Sequence, residues 1–293
     1  MERTGDLETD AKMKILLVSN LREEKGLFQD ARILTTLLKE MGHDPFAVDF
    51  RDGDKYQADL VIFLEVLISY FLNCAPRYWW FVNPEWVSDE YLCFMPRMEK
   101  VLCKTQEAFR LLAAFEEKPN QVVYTGFMCE DKYDPAVERE RVFFHACRGS
   151  MAKGTQPIKD AWRALRYPLV IADGLSDEEM KYEQNRCLFH LQPSWTEGFG
   201  LALHEGMSCG AVIASTDIPP MSEMEGIARL IKPVTRDKLR LATIGQVDMH
   251  GVAEAVKWMV ALSDVDIEML SAKARNAYLS ECVDFKKRFA AIF

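Results

Sequence analysis

The stretch from His190 to Asp217 constrains this chain more than any other, because its order of residue types fits one kind of local fold. Cys187 to Leu191 is a short apolar run that reads as a buried strand. Pro193 to Gly200 is rich in turn formers, Leu201 to Cys209 has helical spacing, and a second apolar run, Ala211 to Ala214, follows Gly210. Strand, glycine loop, helix and strand in that order make the βαβ unit of a parallel sheet. In such a unit the loop lies at the carboxyl end of the strand, and the following helix points its free amides and positive dipole end into the same space. An anion is favoured there. Gly198 and Gly200 let the backbone approach a ligand, and Phe199 between them is expected to anchor the loop in the core. Glu197 and Glu205 place two carboxylates at a pocket suited to phosphate. Carboxylates repel phosphate but accept hydrogen bonds from sugar hydroxyls, so the expected ligand carries both, as a nucleotide sugar does.

Glu197 and Glu205 with Gly-Phe-Gly between them resemble the E-x7-E motif of retaining GT-B glycosyltransferases, especially glycosyltransferase family 4. The flanking Pro-Ser, Glu-Gly-Met-Ser-Cys-Gly and Thr-Asp match the same pattern. The resemblance implies an α/β GT-B architecture, with two Rossmann-like domains facing each other across a cleft and a C-terminal helix crossing back to the first. The expected division is an acceptor-side domain of residues 1–137, joined by a crossing helix at 276–293, and a nucleotide-sugar-binding domain of 138–275. It implies that Glu197, Gly198, Phe199 and Gly200 contact the donor sugar and that Glu205 holds the ribose. Alone, Glu197 would read as a helix-start carboxylate and Glu205 as a solvated one; the constellation is what points to a site.

Composition sets bounds on this picture. A chain of 293 residues with 49% hydrophobic content can bury a large core, and its length suggests two domains, one large α/β domain being the alternative. Residues 1–12 lack the apolar centre of a signal peptide. The longest apolar stretch, Leu60 to Leu72, is broken by Glu65 and too short to span a bilayer, so no transmembrane segment is expected. Eight cysteines without a CxxC pair fit reduced thiols and a cytoplasmic location. A net charge of −9 disfavours a broad nucleic-acid face. His145, His190, His204 and His250 have no ligand spacing, and neither a metal nor another cofactor is expected.

In chain order, Met13 to Asn20 reads as a buried strand, and Gly26 opens a long helical pattern stopped by Gly42. By resemblance Gly26 stands where the family has a donor-facing glycine loop; by itself it reads equally as a helix start. Phe46 to Phe50 and Leu60 to Leu64 are the next strands. The aromatic stretch Arg77 to Val87 contains a strand ending at Val82, which puts Asn83, Glu85 and Trp86 on the crevice side as acceptor-side candidates. An aromatic core patch closed by a proline turn is the competing interpretation. Many family 4 members have a His-Asp pair here, where this chain has Asn83. Thr125 to Pro135 is the candidate linker.

The second half opens with a strand from Arg141, a small-residue loop and a helix reaching Trp162. Arg148 and Lys153 on that loop can clamp a diphosphate, and they resemble the family's basic residue and Lys-Gly pair. Between Ala172 and Cys187 there is room for only one helix, Ser176 to Arg186, where the family inserts a further strand and helix that help read the base. Beyond Asp217, Glu223 lies in a turn resembling one that precedes a helix behind the donor site, or serves as a cap. Residues 249–262 and 264–279 have helical periodicity, and Glu281 to Phe293 is amphipathic.

The expected reaction moves a sugar from a nucleotide-diphosphate sugar to a hydroxyl acceptor with retention of configuration. Same-face attack is preferred, since no distinct nucleophile stands beside the loop, and Arg148, Lys153 and helix amides neutralise the leaving diphosphate. The acceptor classes left open are a glycan, a lipid-linked glycan, a small molecule and, less favoured by charge, a modified DNA base. Three alternatives stand beside this: an idle nucleotide-sugar-binding module, a GT-B sugar-nucleotide epimerase, and a transferase acting on modified DNA bases.

Overall fold

Two parallel sheets organise the protein in a computed structural model that describes residues 12–22, 26–147 and 149–293. The first half runs β1 (Lys14–Ser19), α1 (Gly26–Glu40), β2 (Asp44–Asp49), β3 (Leu60–Leu64), β4 (Arg77–Val82), α2 (Asp89–Leu92), β5 (Lys100–Cys103), α3 (Gln106–Leu112) and β6 (Val122–Tyr124). Its strands pair in the order β2-β1-β3-β4-β5-β6, all parallel. Alternate residues serve opposite faces. Leu16, Val18, Val61, Phe63, Trp80 and Val82 fill one core, while Ile15, Leu17, Ile62, Leu64, Trp79 and Phe81 fill the other against Leu34 and Leu38 of α1. Burial on both faces explains why these strands read as unbroken apolar runs. Pro45 is tolerated because β2 is an edge strand. The aromatics of β4 are core side chains, whereas the residues just past its end are not.

The second half runs β7 (Glu140–Ala146), α4 (Thr155–Ala161), β8 (Leu169–Ala172), α5 (Asp177–Arg186), β9 (Cys187–Gln192), α6 (Leu201–Ser208), β10 (Val212–Thr216), β11 (Ala228–Ile231), a hairpin of β12 (Thr235–Leu239) and β13 (Ala242–Gln246), then α7 (Met249–Val260) and α8 (Asp264–Ala290). The sheet order is β11-β10-β9-β7-β8, again parallel. Two expectations are corrected. The turn holding Glu223 leads into β11, not into a helix. The last two helical stretches are one 27-residue helix, started by a Ser263–Asp266 capping box and free of glycine and proline throughout. Its buried face changes partner along its length. Ile267 packs in the second domain, Ala274 and Tyr278 against α6 and its surroundings, and Phe285 and Phe289 in the first domain beside Trp79, Phe81 and Phe127. The helix therefore crosses back to the first sheet.

Other contacts tie the halves together. Glu223 accepts hydrogen bonds from the amides of Gln106 (3.0 Å) and Glu107 (2.8 Å), so it caps α3 of the other domain. Tyr278 donates to the carbonyl of Cys129 in the connecting segment, and Arg275 pairs with Asp131 there. Among the described residues, no helix is long and apolar enough to cross a membrane.

Candidate functional site

The loop after β9 is shaped before any ligand arrives. Gly200 stands at the start of α6 with φ +90°, a left-handed conformation that glycine adopts without strain. The turn sends Phe199 inward, where it meets the ring of Phe127 edge-on at 5.6 Å and stacks on His204 at 3.8 Å. His204 in turn hydrogen-bonds the Gly200 carbonyl through Nδ1 at 3.0 Å. Burial holds its pKa down, to about 4, so the ring is neutral and serves as packing for the loop. His145 is likewise buried, bridging the Leu191 carbonyl and the Thr155 hydroxyl at 2.8 Å each. The first amides of α6 thus open onto the cleft.

Because β7 and β9 are neighbours, the loops that follow them meet. The amide of Trp195 donates to the Ala152 carbonyl at 2.7 Å, and the ammonium of Lys153 reaches both carboxylate oxygens of Glu197, at 2.7 and 2.9 Å. Gly154, with φ +72°, starts α4 so close to Pro193 that any side chain would overlap its carbonyl. Lys153 and Glu197, both expected at the site, lie side by side; Arg148 lies outside the described residues. Glu205 is half-buried on α6 and accepts a 2.7 Å hydrogen bond from the amide of Gln184 on α5; it does not line the cleft cavity.

That cavity, of about 580 Å³, lies between the carboxyl ends of the two sheets. Lys153, Glu197, Gly198, Phe199, Gly200 and Leu201 line it from the second domain. The first domain contributes Gly26, Asn83, Glu85 and Trp86, all anticipated, together with Asn20, Phe50, Glu65 and Lys104, which were not singled out for it. These follow one rule. Asn20, Phe50, Glu65, Asn83 and Lys104 are each the first residue past a strand, β1 to β5 in turn, so parallel pairing brings them to one rim. Asp30, from the buried face of α1, completes the floor by pairing with Lys104, both side chains being 4% exposed. A carboxylate on an otherwise apolar helix stripe was the signal that could have found it.

Gly198 also meets the other domain. A β-carbon there would lie 2.5 Å from the side chain of Asn83, so this glycine lets the loop after β9 seat against the first domain. Asn83 donates to Glu65 Oε2 at 2.6 Å, and Glu65 takes a positive φ of 67°, a strained conformation for a residue with a side chain. Burial raises the Glu65 pKa above its ordinary value. Glu85 is 9% exposed, its Oε2 has no hydrogen-bond partner, and desolvation followed by the nearby Glu65 and Glu197 charges pushes its pKa up to about 8. At neutral pH it is mainly an uncharged acid. Arg240 from the β12–β13 hairpin donates to the Glu85 carbonyl at 3.1 Å and lies 5.0 Å from the Trp86 ring, closing one end of the cleft. Among the described residues no three His, Cys, Asp or Glu side chains cluster to hold a metal ion.

No family model matches the sequence, and no curated protein matches it. Solved structures do. Anabaena Alr3699/HepE, in complex with UDP and glucose, superposes with a TM-score of 0.70 at 12% identity, covering 96% of this chain and 99% of that one. Sucrose-phosphate synthase from Thermosynechococcus elongatus gives 0.67 at 12% identity, over 96% and 95% of the two chains. The GtfA/B complex gives 0.58 at 15% identity over 80% of this chain, which spans 57% of the length of its counterpart. At such identities the likeness concerns architecture alone: the chain has the GT-B fold, two Rossmann-like domains facing each other across a cleft with the last helix returning to the first.

Proposed function

We propose that the protein is a glycosyltransferase of the family 4 type, moving a sugar from a nucleotide-diphosphate sugar to a hydroxyl acceptor with retention of configuration. The observation that carries this is the Lys153–Glu197 pair, held across the mouth of the Gly-Phe-Gly loop at the start of α6. A cation beside helix amides suits a diphosphate, and the carboxylate beside it suits sugar hydroxyls. On donor entry the ammonium is shared between Glu197 and the diphosphate. Gly198, Phe199 and Gly200 shape the sugar side, Glu205 reaches the ribose by exchanging its contact with Gln184, and Arg148 adds charge at the phosphates. The assigned domains are 1–137 with 276–293, and 138–275.

In the reaction the bond between the sugar anomeric carbon and the diphosphate oxygen breaks, and its electron pair leaves with the diphosphate. The acceptor oxygen bonds to the anomeric carbon on the same face and passes its proton to a departing phosphate oxygen. Lys153 and the α6 amides stabilise the charge that develops, which is where such groups lower a barrier most. The complex of Anabaena Alr3699/HepE with UDP and glucose makes UDP the first nucleotide to test. A thermal-shift screen of UDP, GDP, ADP and their sugars reads binding directly, because a ligand of the folded state raises the melting temperature. A rise with one nucleotide diphosphate, diminished in Lys153→Ala, is the expected result. No rise with any of them rejects the proposal.

A further inference from the structure

The first-domain side of the cleft has polar atoms left without partners. Asp30 Oδ1, Asn83 Oδ1 and Glu85 Oε2 are buried and unpaired, and all three residues line the same cavity. Asp30 is 3% exposed and Glu85 9%, so bulk water is not the evident partner. Buried polar atoms are normally satisfied, and three unsatisfied ones on residues that line one cavity point to a guest that pairs with them once they turn toward it. Their chemistry narrows what it is. Asp30 gives its other oxygen to Lys104, and Asn83 gives its amino group to Glu65, so both present acceptors. Glu85, kept protonated by its surroundings, presents a donor.

Charge and apolar surface narrow it further. Lys104 is committed to Asp30, Lys153 to Glu197, and Arg51, at the rim, to Asp49 and Asn20. Asp30, Glu65, Glu85 and Glu197 line the remaining space, and Arg240 at the end of the cleft is held by the Glu85 carbonyl and the Trp86 ring, so each of these cations is already engaged. Trp86, 52% exposed, and Phe50 line the same cavity with aromatic surface. Adjacent hydroxyls give protons to two acceptors and a lone pair to one donor, while the carbon faces of a sugar ring lie against aromatics.

We propose that the acceptor is an uncharged sugar ring with adjacent hydroxyls, held by Asp30, Asn83 and Glu85 with Trp86 beneath it. This rests on the glycosyltransferase assignment and adds the acceptor class to it. The engaged cations and the acidic lining favour an uncharged guest here over phosphorylated sugars, phosphorylated lipids and DNA.

The test uses the full chain and the nucleotide sugar that gives the largest thermal shift, with release of the nucleotide diphosphate as readout. Methyl glycosides and unsubstituted mono- and disaccharides are compared with sugar 6-phosphates, glycerol phosphate and a short single-stranded DNA. Stimulation by an uncharged sugar and not by the anionic panel is expected. In Glu85→Ala the acceptor KM then rises roughly tenfold or more with the donor KM and the donor-induced melting shift unchanged, and Glu85→Gln restores it. A donor shift with stimulation only by the anionic panel, or by nothing, overturns the acceptor class and leaves the transferase assignment standing. An equal KM rise for donor and acceptor in Glu85→Ala also overturns it. Absence of any donor shift removes both.

Discussion

Lys153 and Glu197 satisfy each other, and each holds the other in place for the proposed donor. The pair is partly buried, with side chains 28% and 12% exposed, so its attraction is not fully screened. Removing the ammonium leaves the Glu197 carboxylate facing the leaving diphosphate with no intervening positive charge. Lys153→Ala is therefore expected to weaken donor binding and to lower turnover by roughly a hundredfold or more, whereas Glu197→Ala lowers turnover with a smaller effect on binding. Steady-state kinetics with the donor chosen by thermal shift checks the contrast. Both residues were legible in the sequence because loop, helix start and charge lie within a few positions of one another. Asp30, Glu65 and Lys104 were not. Asp30 and Lys104 are 74 positions apart and are explained only by each other, a relation no local pattern contains.

At the scale of elements, the loop after β9 is an interdomain contact as well as the proposed donor cradle. Gly198 faces Asn83, so Gly198→Ala forces the loop away from the first domain or pushes Asn83 off Glu65. The expected cost is about 1–3 kcal/mol of stability together with a fall in turnover. Gly198→Ala combined with Asn83→Ala recovers part of the stability but not the acceptor dependence, and a double-mutant cycle of melts measures the coupling. The strands of both sheets were legible from apolar runs, since parallel strands covered on both faces announce themselves that way. The β12–β13 hairpin was not. Every residue of β12 is exposed, so it carries no buried alternation, and its place is fixed by a 2.9 Å bond from Gly245 to the Trp195 carbonyl. The continuity of α8 was hidden for the opposite reason. Its apolar residues face three successive partners, so no single stripe runs its length.

For the whole molecule, buried titratable groups set the pH range of stability. His145, His190 and His204 are each held down to about 4 from 6.5, mainly by burial. Their contribution is full above about 6.5 and is lost as pH falls through about 4, because unfolding then takes up protons. Glu85 and Glu281 are raised from 4.5, mainly by burial, to about 8 and about 7. Their contribution is full below 4.5 and is lost as pH rises through those values. Melting temperature is expected to pass through a maximum near pH 6.5, and Glu85→Gln to lessen the decline on the alkaline side, as calorimetry across pH 4–9 would record. The two-domain architecture was legible through the family resemblance of one βαβ unit and its motif. The interdomain contacts were not, since Glu223 on α3 and Arg240 on Trp86 join residues more than a hundred positions apart.

The long helix α8 has a mechanical consequence. About 40 Å of uninterrupted helix, seated in both cores, is a strut that resists bending, with no glycine or proline to serve as a pivot. The domains it joins are held at a nearly set separation, so rotation must come from residues 261–263 before it, from the 125–139 connection and from side chains sliding over one another. A guest is then sorted first by whether it fits a gauge of given width, and only afterwards by how firmly it is gripped.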